Sequence, residues 1–450
     1  MRPLPPPSAK AFLTFLIPMM GANILQALSG TVNNIYVGQM LGVSALAAVS
    51  AFFPLMFFCI SFIIGLGGGA SVLIGQAFGA GEADKVKEVA GTTLAVTIIG
   101  GVLFAFVGIM FTTPILVAIG TPPDILADAA DYARVMLLVL PGFFVFLLMT
   151  SMMRGVGDSK TPLYGLLIAT AIGLILTPAL IQGWGGLPRM GIRSPAWATI
   201  IGAAASLTWL AVHLLRRRHP LAPDWKLMRH LWIDWRILKT VLKIAIPTGV
   251  QMVIISLAEI AVLSFVNRFG SDATAAYGAV NQVVSFVQFP AISIAITGSI
   301  FAAQAIGASR IDRLGTILGI AIRLNFAVTG GLVLLGYVFS RPLLGMFITS
   351  PPVIELAQGL LHITLWSYVL FGMAAVLSSL MRASGTVLVP TAISILCVFA
   401  IEVPAAFLLS QWIGIDGVWI AYPIAFAAML VLQAGYYRLV WQKKTITRLI

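Results

Sequence analysis

Charge is what this chain has least of. Only 9% of its 450 residues are Asp, Glu, Lys or Arg, against about 25% in a soluble globular protein. That shortage excludes an ordinary water-soluble domain. With 60% hydrophobic residues and a mean hydropathy of +1.02, a polytopic membrane protein is left. Cysteine is nearly absent. Cys59 and Cys397 lie far apart inside apolar runs, which gives neither a disulfide framework nor a thiolate metal site. Of the four histidines, His213, His219 and His230 fall in or beside one basic stretch without ligand spacing, and His362 stands alone. No metal or cofactor is therefore expected. An enzyme working inside the bilayer would need a nucleophile with a base, or a set of ligands, and the buried polar residues do not form one. The net charge of +12 would point to nucleic acid in a soluble domain. Here the cations sit mostly in short loops, where topology and lipid headgroups account for them, so no nucleic-acid partner is expected.

What the chain does have is apolar runs of about 20 residues or more along its whole length, each able to cross a hydrocarbon core of roughly 30 Å. Twelve helices are expected, helix 1 to helix 12, near 11–39, 45–75, 88–115, 126–153, 162–183, 194–216, 241–267, 273–304, 314–341, 354–381, 390–410 and 417–438. The start "MRPLPPPSAK" is basic and Pro-rich, and the run after it is too long for a signal-peptide core, so helix 1 reads as a retained span. The even loops hold most of the cations, among them Lys85, Lys87, Arg154, Lys160, Arg310, Arg313 and Arg382. The odd loops hold few, mainly Arg189, Arg193, Arg268 and Arg341. The positive-inside rule then places both termini in the cytoplasm, and an even number of spans agrees. The expected location is a bacterial inner membrane, with the chain as a monomer among lipids.

The longest polar connection is "RRRHPLAPDWKLMRHLWIDWRILKTVLK" (216–243). Its cations alternate with Trp225, Trp232 and Trp235, a pattern that suits an amphipathic segment on the membrane surface. It divides the chain into an N-lobe (11–216, helices 1–6), a basic linker (217–240) and a C-lobe (241–438, helices 7–12). The halves repeat. "IPMMGANILQALSG" from Ile17 is answered by "IPTGVQMVIISLAE" from Ile246, "GQAFGAGEADKV" from Gly75 by "AQAIGASRIDRL" from Ala303, and "MMRGVGDSKTP" from Met152 by "LMRASGTVLVP" from Leu380. Each match is weak, but all keep one offset of about 228 residues. Six helices per half start both halves on the same side. The fold expected is thus all-α and integral to the membrane, with two parallel six-helix repeats, the arrangement of a transporter whose substrate sits between repeats. Rings of pore-lining charge, which a channel would need, are missing. The glycines of "GLGGGASVLIG" (65–75) read as tight helix packing, since no phosphate-loop Lys-Ser/Thr follows.

Of the fifteen acidic residues, only Glu259 and Glu402 lie well inside spans. A carboxylate at a helix centre costs on the order of 2.5–3.5 kcal/mol, tolerated when it faces a cavity, binds a cation or takes up a proton. Both residues are therefore candidate ion-coupling groups. Glu259 precedes Arg268 by nine residues and Glu402 precedes Gln411 by nine, which puts the two at similar depth on helices 7 and 11. A structural pair between Glu402 and Arg323, the one cation well inside a span, is the competing reading. Amides and hydroxyls form stripes nearby: Asn23, Gln26 and Asn33 on helix 1, Gln251 and Ser256 beside Glu259 on helix 7, and Asn281, Ser285 and Gln288 on helix 8. Amides facing lipid are costly, so these stripes are candidate cavity or substrate-binding residues, with interhelical hydrogen bonding as the alternative.

Several segments, "VNNIYVGQMLGVSALAAVS" (32–50), "GQAFGAGEADKV" (75–86), "MRGVGDSKTP" (153–162) and "GVWIAYPIA" (417–425), give the chain a sequence that resembles the multidrug and toxin extrusion (MATE) family from about Ile17 to Arg438. The resemblance implies an antiporter exporting cationic or amphipathic drugs or metabolites, driven by protons or sodium ions, with N-lobe and C-lobe around a central cavity. It also implies a coupling role for Glu259, which falls on the family's helix 7 Glu. The sequence departs from the family elsewhere. Asn33 stands where an Asp is common in helix 1, Gly173 and Thr177 where Asn and Asp are frequent in helix 5, and Phe371 where one branch has a helix 10 Asp. A coupling site in the C-lobe is expected for that reason. Arg154, Asp158 and Arg382 are expected to hold loops. The alternatives are a flippase of lipid-linked precursors, which would favour extra helices and a strongly basic cavity, and an exporter of one specific metabolite.

Overall fold

The computed structural model describes residues 4–450, and every regular element in them is helical. Twelve helices are long and apolar enough to cross a membrane: helix 1 is Ala9–Met40, helix 2 Val43–Gly79, helix 3 Ala83–Met110, helix 4 Leu126–Gly155, helix 5 Lys160–Gln182, helix 6 Gly191–Arg216, helix 7 Trp235–Asn267, helix 8 Ser271–Gly307, helix 9 Ile311–Val338, helix 10 Pro351–Ala383, helix 11 Leu388–Ile413 and helix 12 Ile415–Lys443. Helices are the economical answer in hydrocarbon, because each satisfies its own backbone donors and acceptors where water cannot. The helix limits repeat with the sequence. Gly79 is followed by Gly307, and Lys160 by Leu388, each 228 residues later. Even the short helices in the loops correspond, Thr112–Ala118 in the first half and Ser340–Gly345 in the second.

Two compact units result. One comprises residues 17–245 with Ile450, the other residues 4–16 with 246–449. The divisions fall at Ile17 and Ile246, one residue before Pro18 and Pro247, rather than at the ends of the linker. The start of helix 1 packs into the second unit, where Phe12 stacks on Phe301 with ring centroids 4.3 Å apart. The start of helix 7 packs into the first, where a Cβ added to Gly69 would lie 2.7 Å from the Val241 carbonyl. Such close approaches need residues without side chains. Gly101 against Pro141 and Gly67 against Ser151 bring helices 3 and 2 onto helix 4 in the same way, so the glycines of helix 2 do serve packing.

The linker is not one amphipathic helix. Its only helical piece within 217–234 is Trp225–Arg229, capped by Asp224, whose carboxylate accepts from the Leu227 N–H. The rest is tied down on the N-lobe. Lys87 Nζ lies 2.9 Å from Asp224, the Thr92 hydroxyl donates to the Trp232 carbonyl, and Gly91 leaves room only for the His230 backbone. Trp225, Trp232 and Trp235 remain exposed at 73%, 77% and 73%. This docking is what the alternation of Lys, Arg and Trp did not reveal, because the anchors are hydrogen bonds to helix 3.

Candidate functional site

Helix 11 carries an irregularity at its carboxylate. Cys397–Glu402 is a π-helical turn, and the α-helix resumes at Val403. Pro404 explains it. Proline has no N–H to return to the Ala400 carbonyl and its ring crowds that carbonyl, so the preceding turn widens. Within this turn Glu402 is only 3% exposed. Cys397 and Val398 pack with Ala258, Ala374 and Met429, which joins helix 11 to helices 7, 10 and 12 one residue away from Glu259. The two carboxylates differ in access: Glu402 is enclosed, while the Glu259 side chain keeps open surface on helix 7.

Glu259 and Glu402 lie within electrostatic range of one another and of the hydroxyls of Tyr277, Tyr368 and Tyr422. These tyrosines come from helices 8, 10 and 12 and are 5%, 6% and 5% exposed. Tyr277 and Tyr422 have their hydroxyls 3.4 Å apart, and Asn281 is hydrogen-bonded to Tyr277. Aromatic rings wall the cluster. Trp419 lies 5.3 Å from Tyr277 between ring centroids, and Phe426 lies 5.1 Å from Tyr368. Phe371 of helix 10 is part of that wall, 5.3 Å from Phe426. The buried Trp419 Nε1 has no hydrogen-bond partner among the described residues.

Two like charges held together where water is scarce repel each other, and a proton or a bound cation relieves the repulsion. Phenol and amide oxygens are neutral ligands for a hard cation and hydrogen-bond partners for a carboxyl. The cluster is thus chemically suited to load and release a small cation.

The structure distributes the other candidates unevenly. Asn281 joins the cluster, while Ser285 and Gln288, half-buried on the same helix, are not among its bonded members; the Ser285 hydroxyl donates back to the Gln282 carbonyl. Ser256 likewise donates to Met252 of its own helix. Gln251 accepts from the Arg382 guanidinium at 3.4 Å, an interhelical bond at the end of helix 10. Arg323 is exposed on helix 9 and forms no ion pair with Glu402 among the described residues. In the N-lobe, Asn23 is half-buried and Gln26 exposed. Asn33 accepts from the Thr177 hydroxyl at 3.1 Å, so helices 1 and 5 meet through a neutral pair.

Asp158 acts as a loop clamp. Its carboxylate accepts from the Lys160 and Thr161 backbone N–H groups and from the Thr161 hydroxyl at 2.5 Å, and His219 Nε2 lies 3.4 Å away. The Leu221 N–H donates to His219 Nδ1, which leaves Nε2 to carry the proton and face the acid. Burial opposes the charge on Asp158, but the nearby His219 imidazole and the bonds from Thr161 outweigh it and hold the pKa below the ordinary 3.8.

The tyrosines are what sequence reasoning passed over. Trp419 and Tyr422 lie inside "GVWIAYPIA", and Tyr277 stands one helical turn before Asn281, so a search for phenols at helical spacing from the polar stripes would have found them.

Comparison with known proteins follows the same division into halves. A family model described as MatE matches the chain twice, over residues 18–179 and 247–408. A protein of Bacillus subtilis named "Probable multidrug resistance protein YoeA" is 49% identical over 438 residues, 97% of this chain and 95% of its own length. A protein of Shewanella oneidensis named "FAD transporter" is 26% identical over 435 residues, 96% of this chain and 94% of its own. Among solved structures, a MATE transporter of Vibrio cholerae is similar with a TM-score of 0.89 at 23% identity, covering 97% of this chain and 98% of that one.

Proposed function

The chain belongs to the MatE family, which makes it a multi-pass transporter and not an enzyme, and from that premise we propose that it is a cation-coupled antiporter exporting cationic or amphipathic compounds. The coupling cation, a proton or a sodium ion, binds at Glu259 and Glu402 in the C-lobe. One observation carries this reading: the two in-span carboxylates lie within electrostatic range of one set of tyrosines, whereas helices 1 and 5 of the N-lobe meet through the neutral pair Asn33–Thr177. Exposed Glu259 is the point of entry and enclosed Glu402 the point of retention. Asn23, Gln26, Asn33, Gln288 and Ser285 contact the exported compound, and access alternates between the two sides of a bacterial inner membrane whose cytoplasmic face carries both termini. The 49% identity to a protein named for multidrug resistance supports several substrates over one, while the relative named a FAD transporter keeps export of one metabolite as the second reading.

The test is transport of ethidium in proteoliposomes under an imposed proton gradient and, separately, an imposed sodium gradient. Ethidium movement with one gradient and not the other identifies the ion. Absence of movement under both refutes the proposal.

A further inference from the structure

Apart from the coupling cluster, the N-lobe holds a cavity of about 660 Å³ between the end of helix 2, the start of helix 3, the end of helix 6 and the linker. Lys87, Arg218, His219, Asp224, Trp225 and Lys226 line it. Helices 2 and 3 and helices 6 and 7 are joined after even numbers of spans, so all of these residues lie on the side of the membrane that holds the N-terminus. The volume falls within the roughly 300–1,000 Å³ of small-molecule sites.

Charge in the cavity is unbalanced. Lys87 is 8% exposed and paired with Asp224 at 2.9 Å. Burial disfavours a charged Asp224, yet the Leu227 N–H and Lys87 hold its pKa below 3.8, so that carboxylate is already committed. Arg218 and Lys226 have no carboxylate within ion-pair distance among the described residues. Arg218 also sits at φ +49°, and only one other non-glycine residue among those described, Ser309, has a positive φ. That conformation closes helix 6, where the Arg218 and His219 N–H groups donate to the Leu215 and Leu214 carbonyls. The backbone around it is fixed, because His219 bonds to the Leu221 N–H and the linker is bonded to helix 3. Beside the cavity the exposed Trp225, Met228 and Trp232 present an apolar edge of the kind that sits at a membrane interface.

We propose that this cavity binds a phosphate group, that of an anionic phospholipid from the adjacent leaflet, with Arg218 and Lys226 supplying the charge-assisted hydrogen bonds and Trp225 resting beside the acyl-chain junction. Arginine takes phosphate oxygens in pairs and lysine acts as a point charge; their two positive charges exceed the single negative charge of a diester and favour a lipid whose headgroup carries no cation. The site is separate from the coupling cluster and does not depend on which ion drives transport.

The experiment uses the full chain purified in a neutral detergent and follows its thermal midpoint against dihexanoylphosphatidylglycerol, dihexanoylphosphatidylcholine and glycerol 3-phosphate. The expected result is a saturable rise with phosphatidylglycerol and none with phosphatidylcholine. In Arg218→Ala/Lys226→Ala the half-saturating concentration should rise by about tenfold or more. Both positions are exposed, so the variant should fold. Arg310→Ala/Arg313→Ala, which removes the same charge from another loop on that side, should behave as wild type. If glycerol 3-phosphate reproduces the rise, the phosphate comes from a free ester; if it does not, from lipid. Equal responses to the two lipids, no response to either, or an unchanged response in Arg218→Ala/Lys226→Ala would overturn the proposal, as would equal loss in the Arg310 and Arg313 variant.

Discussion

The two lobes put their carboxylates in different places. In the N-lobe the membrane interior is neutral: Asn33 and Thr177 join helices 1 and 5 at 3.1 Å, and the buried acid is Asp158, at the membrane edge, clamped by backbone N–H groups and His219. In the C-lobe the loop is neutral and the interior is charged. Ser384 and Thr386 bond to each other where the N-lobe has its acid, while Glu259 and Glu402 stand inside spans within electrostatic range of three tyrosines. Aligning Ile17 with Ile246 sets Glu259 opposite Gly30, and aligning Pro162 with Pro390 sets Glu402 opposite Leu174. Two halves with the same helix plan thus place their acids differently: the N-lobe acid holds a loop, and the C-lobe acids stand inside spans, where charge is costly and, on the proposed reading, is kept for ion exchange.

The largest effect that would break this comparison is on transport. Glu402→Gln keeps shape and hydrogen bonding but cannot cycle charge, and gradient-driven export should fall by on the order of tenfold or more, measured as ethidium flux in proteoliposomes. Flux at the wild-type level would make Glu402 a packing residue. Tyr277→Phe removes one hydroxyl from between Asn281 and Tyr422. The expected loss is roughly two- to tenfold in apparent affinity for the coupling ion, read from flux against ion concentration.

The N-lobe acid should respond in stability instead. Asp158→Asn should destabilise the chain by about 1–3 kcal/mol near neutral pH with little change in flux per folded molecule. The sign of the pH dependence follows from a depressed pKa. The contribution of Asp158 is complete above its ordinary value of 3.8 and is lost as pH falls through the lower folded value. Thermal unfolding of wild type and variant should therefore converge in acid below that value and differ above it. Divergence in acid would mean the carboxylate is protonated in the fold. The smallest effect is at Thr177→Val, which removes one hydroxyl from the neutral pair and should cost about 0.5–1.5 kcal/mol in unfolding free energy while leaving ion dependence unchanged.

Much of the fold was legible because the bilayer imposes it. Apolar length fixes the spans, the cations of the even loops mark one side, and the offset near 228 residues exposes the repeat. Glu259 and Glu402 were legible because charge inside a span is rare. Their proximity was not, since depth along two helices says nothing of rotation about each, and Pro404 reshapes the turn that carries Glu402. The stripe of amides was half informative. Asn281 reaches the cluster, but Gln251 is engaged by Arg382, a partner 131 residues away that no local spacing discloses.

The most direct test of a coupling site confined to the C-lobe sets Glu259→Gln beside Asn33→Ala in the same proteoliposomes, with pH and sodium steps imposed one at a time. The account predicts that Glu259→Gln abolishes gradient-driven ethidium export while Asn33→Ala retains most of it. Wild-type export by Glu259→Gln under both gradients, or a greater loss in Asn33→Ala, would contradict it.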